Sequence, residues 1–125
     1  MKLIIRTHKL QLKHPFTISR GTRTEVSSLI VELQENGFSG FGEATANPYY
    51  NTTVEQFEKE LIENKEIIEI SSTKTPEEYW DYLFSHFKNN MFLLCALDEA
   101  YTDLFTRKKG IKLYEYWNFE LKNLP

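Results

Sequence analysis

His8, His14 and His86 show no metal-ligand spacing, and the chain holds no HExxH, CxxC, phosphate-binding glycine loop or strand-linked GxGxxG pattern. The catalytic inventory of the sequence is thus nearly empty. What remains is chemistry of recognition, carried by two short stretches. "HPFTISRGTRTE", residues 14–25, places Phe16, Ile18, Arg20 and Arg23 around Gly21. "ANPYYN", residues 46–51, places Tyr49 and Tyr50 directly after a proline. Both read as loops, and loops are where binding residues concentrate. The plainer alternative is that the arginines are solvated and the tyrosines cover core.

The elements around these stretches decide whether they meet. Leu29, Val31 and Leu33 alternate with Ile30, Glu32 and Gln34, the period of a half-buried strand. Asn36-Gly37 follows at once, a dipeptide suited to a two-residue type I′ turn. Residues 24–35 and 38–46 are therefore expected to pair antiparallel. With an N-terminal strand in "LIIRTHKLQLK" they make a three-stranded meander. Its topology brings both candidate loops to the same end of the sheet.

The remainder reads as helices. Thr52 or Thr53 caps a helix whose stripe is Val54, Phe57 and Leu61. Thr75, Pro76 and Glu78 form a capping box, with Trp80, Phe84 and Phe87 expected along one face. "NMFLLCALDEAYTDLFTRKKG" is the most apolar helix and the expected centre of the core. Its end is marked by Arg107, Lys108 and Lys109 beside the negative helix pole, then by Gly110. A short helix at "LYEYW" follows. Strands first and helices after give an α+β class: a three-stranded antiparallel meander followed by a bundle of three to four helices.

Length and composition bound the rest. The chain has 125 residues, 41% of them hydrophobic, enough for one domain with a real core. A net charge of −3 with scattered Lys and Arg argues against a nucleic-acid partner. The apolar opening is broken by Arg6, His8 and Lys9, so neither a signal segment nor a membrane span is expected. The single cysteine, Cys95, cannot form an internal disulfide and is expected to be a small buried residue, in a reducing, cytoplasmic setting. The glycines of "GFSGFGEA" are expected to serve backbone packing. Asp98 and Glu99 lie on a mostly apolar helix, and one of them is expected to accept hydrogen bonds from a neighbouring segment in a structural role rather than hold a metal.

The ordered set "PFTISRGTRTEVSSLIVEL", "GFGEATANPYY" and "ALDEAYTDLFTRKKGIKLYEYW" resembles the N-terminal capping domain of the enolase superfamily, muconate-lactonizing subgroup, over essentially the whole chain. Lys112 stands where that pattern usually has proline. The resemblance implies an enolase N-terminal-like fold, with residues 1–125 forming one capping and substrate-specificity domain ahead of a TIM-type barrel. It implies that the two stretches cover the barrel mouth, with Phe16, Ile18, Arg20, Arg23, Tyr49 and Tyr50 as substrate-binding and specificity residues. An arginine there suits a substrate carboxylate, through paired charge-assisted hydrogen bonds. The implied reaction is proton abstraction next to a carboxylate, with Mg²⁺ and the catalytic lysines supplied by the barrel. No catalytic residue and no metal ligand is then expected within these 125 residues, and none of their activity in isolation. The closest subgroup by the look of "FTISRGTRTE" is the dipeptide epimerases, acting on a dipeptide-like carboxylate substrate. o-Succinylbenzoate synthases, muconate cycloisomerases and a stand-alone protein-binding module remain open. Apolar surface that would meet the barrel is expected, and self-association into a homo-oligomer is one outcome of it.

Overall fold

A computed structural model describes residues 1–19, 21–70 and 73–120. Among these residues three strands come first: β1 (Lys2–Ile18), β2 (Gly21–Glu35) and β3 (Phe38–Thr45), in the antiparallel order β1-β2-β3. Among the described residues five helices follow, after a 3₁₀ turn at Pro48–Tyr50: α1 (Val54–Glu63), α2 (Lys65–Ile68), α3 (Pro76–Phe87), α4 (Met91–Lys109) and α5 (Leu113–Tyr116). The α+β meander and helical bundle expected from the sequence are both present.

The β2–β3 hairpin closes as the dipeptide dictates. Asn36 has φ 52° and Gly37 φ 82°, between the paired residues Glu35 and Phe38. Two consecutive positive φ values define the type I′ turn, whose twist matches that of the strands. Strand parity then sorts the faces. Leu3, Ile5, Leu29, Val31, Leu33 and Ala44 share the face covered by helices, and all but the half-buried Ile5 are buried. The opposite face carries Ile4, Arg6, Ile30, Glu32 and Phe41. There Arg6 pairs with Glu32, and Ser39 donates to the same carboxylate at 2.7 Å.

α4 lies across β3 and is the centre of the core, with Leu93, Leu94, Ala96, Leu97, Ala100, Tyr101 and Leu104 buried. β3 is an edge strand, and α4 seals that edge. Glu99 accepts from the Glu43 backbone N at 3.1 Å, and Asp103, one turn on, accepts from Phe41 N at 3.1 Å. Paired in this way, the edge no longer offers a template to another chain. Glu99 thus accepts from a neighbouring segment as the sequence reading expected. α4 starts at the Asn90 cap and ends at Gly110, in the left-handed conformation.

α3 follows its capping box, but a different stripe faces inward. Tyr79, Leu83 and Phe87 are buried, while Trp80 is half-buried and Phe84 exposed. Both stripes have helical spacing, so periodicity alone does not choose between them. Tyr79 decides the rotation. Its ring stacks on Tyr101 at 3.9 Å, and its hydroxyl donates to the Ile68 carbonyl at 2.9 Å. Burial pushes both phenols up, Tyr101 to about 12.

Two further expectations are corrected. Cys95 is exposed, because α4 turns that position outward beyond the edge strand. Its thiol points to Glu99, and partial burial followed by the Glu99 charge pushes it up. Residues 14–18 and 21–25 are strand, not loop. β1 runs on to Ile18 and β2 starts at Gly21, pairing Phe16 with Arg23, Thr17 with Thr22 and Ile18 with Gly21. The register shifts between Gln11 and Phe16, and Pro15 falls inside that irregularity. A proline that donates no ladder hydrogen bond is tolerated in such a bulge.

Candidate functional site: a groove between the ribbon and the tyrosine turn

β3 pairs with β2 only from Ser28 to Glu35, so beyond Ser28 the first two strands project as a two-stranded ribbon. Directly opposed residues share a face, and so do residues two apart. Phe16, Ile18 and Arg23 therefore share one face of the ribbon tip; Thr17 and Thr22 pair on the other, although Thr22 also borders the groove described below. The two threonine hydroxyls lie 2.9 Å apart.

The second wall is the 3₁₀ turn. Asn47 caps it, accepting from Tyr49 N at 3.0 Å, and Asn51 closes it with φ 53°. Pro48 fixes the entry, since its ring presets φ at the first helical position. Tyr50 packs edge-on against Phe92 at 5.6 Å between ring centroids, and Phe92 leans on buried Phe57 at 5.9 Å. Tyr49 meets Tyr50 at 4.9 Å in a T-shaped contact. The pair is thereby anchored to the core at one end while Tyr49 remains 63% exposed at the other.

The two walls enclose an open groove of about 720 Å³ lined by Ile18, Gly21, Thr22, Arg23, Pro48 and the two tyrosines. Arg23 reaches across, donating from Nη2 to Asn47 Oδ1 at 3.2 Å. A smaller apolar pocket of about 380 Å³ adjoins it, lined by Ala44, Ala46, Met91, Phe92 and Cys95, and shares Arg23 and Asn47 with the groove.

The structure therefore brings Ile18, Arg23, Tyr49 and Tyr50 together. Phe16 lies on the same ribbon face, 59% exposed, but does not line the groove. Arg20 lies outside the described residues. Asn47 was not singled out from the sequence, although its Asn-Pro step marks a turn start.

Among the described residues no group of three His, Cys, Asp or Glu side chains could hold a metal ion. The Mg²⁺ implied by the resemblance finds no donor set among these residues. Nor is any described helix long and apolar enough to cross a membrane. What the groove offers is shape, aromatic surface and a cation.

Comparison with known proteins agrees with this architecture. The L-Ala-D/L-amino acid epimerase of Flavobacterium johnsoniae is 54% identical over 125 residues, all of this chain and 37% of the relative. The L-Ala-D/L-amino acid epimerase of Maribacter sp. is 41% identical, again over all of this chain and 37% of the relative. A substrate-liganded complex of the L-Ala-D/L-Glu epimerase from Bacillus subtilis superposes with a TM-score of 0.82, at 21% identity, over 93% of this chain and 34% of that one. The last comparison shows the fold. The chain thus spans little more than a third of the length of the relatives it matches. Residues 1–116 match the family model for the mandelate racemase / muconate lactonizing enzyme, N-terminal domain, and the chain belongs to that family.

Proposed function

We propose that residues 1–125 are the capping and specificity domain of a dipeptide epimerase, and that the groove between the ribbon tip and the tyrosine turn closes over the substrate. One observation carries this: Ile18 and Arg23 on the β1–β2 ribbon and Tyr49 and Tyr50 on the 3₁₀ turn, far apart in sequence, form the two walls of one groove. The 54% identity to an epimerase supports the reaction class. In the whole enzyme a barrel would supply Mg²⁺ and the groups that move the α-proton, while the cap would exclude water and select the side chains. Excluding water strengthens every electrostatic interaction at the reacting centre. Arg20 is the proposed partner for a distal substrate carboxylate. Arg23, already engaged by Asn47, holds the wall in place. Phe16 extends the apolar rim, and the lone thiol fits a cytoplasmic enzyme.

The test is a fusion. This chain replaces the matched portion of the Flavobacterium johnsoniae epimerase, and α-proton exchange of L-Ala dipeptides is followed in D₂O with Mg²⁺. Protein-dependent α-deuteration is expected from the fusion and none from the 125 residues alone. A folded fusion without exchange would overturn the reading.

A further inference from the structure

We infer that Asn47 is a positioning residue, whose side-chain oxygen latches the ribbon tip to the tyrosine turn so that the two walls of the groove move as one. A single atom makes the link. Asn47 Oδ1 accepts from Arg23 Nη2 at 3.2 Å and from the Tyr49 backbone N at 3.0 Å. The first donor sits on the ribbon, two residues from its closing pair, and the second is the backbone of the turn.

The ribbon needs such a link. Past Ser28 it has no third strand, and a two-stranded ribbon by itself is marginally stable in water. At its base the Ala46 backbone N donates to Ser27 O at 3.1 Å, and nearer the tip the Arg23–Asn47 bond ties the ribbon to the body at the groove itself. The turn does not depend on the Asn47 side chain alone. Asn47 N donates to Thr52 Oγ1 at 2.9 Å, and Asn47 O accepts from Thr52 N at 3.3 Å and from Tyr50 N at 3.0 Å. Removing the amide side chain therefore cuts the link while Thr52 keeps the turn folded. Arg23 and Asn47 also form the partition between the groove and the Met91–Phe92–Cys95 pocket. Opening the latch joins the two cavities and loosens the fit to any ligand in either. That consequence for substrate rests on the proposed function; the latch does not.

Two measurements separate them. In the ¹⁵N-labelled 125-residue chain, amide exchange and relaxation are read at Thr17, Thr22 and Tyr49 for Asn47→Ala, Asn47→Asp and Arg23→Met. Asn47→Ala and Arg23→Met should each loosen both walls, by about three- to tenfold in exchange. Asn47→Asp, which keeps the acceptor, should restore the native rates. Arg23→Met tests the same link with turn and apolar stem intact. Loosening of Tyr49 alone, with Thr17 and Thr22 unchanged, would overturn the latch. In the active fusion, Asn47→Ala should raise KM by about three- to tenfold at nearly constant kcat, with Asn47→Asp restoring it. An unchanged KM despite loosened walls would overturn the substrate-positioning role. A fusion inactive before any substitution would count against the proposed function and leave the latch to the exchange data.

Discussion

Gly42 and Ala96 are packed backbone to backbone: a Cβ on Gly42 would lie 1.9 Å from the Ala96 carbonyl oxygen. Gly40 repeats the arrangement two residues earlier, where a Cβ would come within 2.1 Å of Ala100 O. The spacing along β3 thus matches one turn of α4, and the absent side chains let helix and strand approach closely. Gly42→Ala is expected to destabilise the chain by at least about 1–3 kcal/mol, the usual range for an overfilled core. Urea unfolding of the variant measures it. A loss below a few tenths would mean that α4 can lift off β3 at little cost.

Glu99 and Asp103 are expected to matter through the backbone they cap. Removing either carboxylate leaves an edge amide of β3 to water, so Glu99→Ala and Asp103→Ala should each cost about 1 kcal/mol. Exchange should quicken at Glu43 and Phe41 respectively. Uniform exchange changes across the sheet would show that the carboxylates act on global stability instead.

Glu32 sets part of the acid limb of stability. The Ser39 hydroxyl, and after it the Arg6 guanidinium, hold its carboxyl below the ordinary value of 4.5. A carboxyl lowered in the folded state adds stability that is complete above its unfolded value and is lost as pH falls through the folded one. Glu32→Gln should therefore be less stable than the native chain at pH 7, with the gap closing under acid. A gap that stays constant from pH 7 to the acid limb would assign the loss to packing.

Asp98 has the opposite sign. Burial, and then the charges of Glu99 and Glu77, raise its carboxyl above the ordinary value. The folded chain then binds that proton more tightly than the unfolded chain, so ionisation costs stability as pH rises through the shifted range. Asp98→Asn should raise the Tm at pH 7 and leave it nearly unchanged where Asp98 is protonated. A lower Tm at pH 7 would reveal a favourable contact made by the carboxylate.

Local rules made much of this fold legible in the sequence. The Asn36-Gly37 turn, the Thr75–Glu78 box and the Gly110 stop each follow from a residue whose conformational preference acts within a few positions. The failures are those where tertiary contact decides. The inward stripe of α3 is set by the Tyr79–Tyr101 stack, and Cys95 faces out because the sheet ends at β3. Residues 14–25 carry a proline and a glycine that read as breakers, yet a bulge absorbs the proline and the strands pair past it. For the groove, the residue types were visible while their meeting was not. It depends on strand register past the bulge and on Asn47, whose role is a side-chain bond to a residue 24 positions away.

Whether the groove contacts the substrate is tested most directly by kcat/KM of the fusion with groove and control substitutions. Ile18 and Leu10 are similarly exposed, at 47% and 52%, but only Ile18 lines the groove. Ile18→Ala and Tyr49→Ala should each lower kcat/KM by roughly tenfold or more, mainly through KM, as expected for about 1.5–3 kcal/mol of side-chain burial in the closed complex. Leu10→Ala should leave it within about twofold. Equal effects from all three, or none from Ile18 and Tyr49, would contradict a substrate site at the ribbon tip.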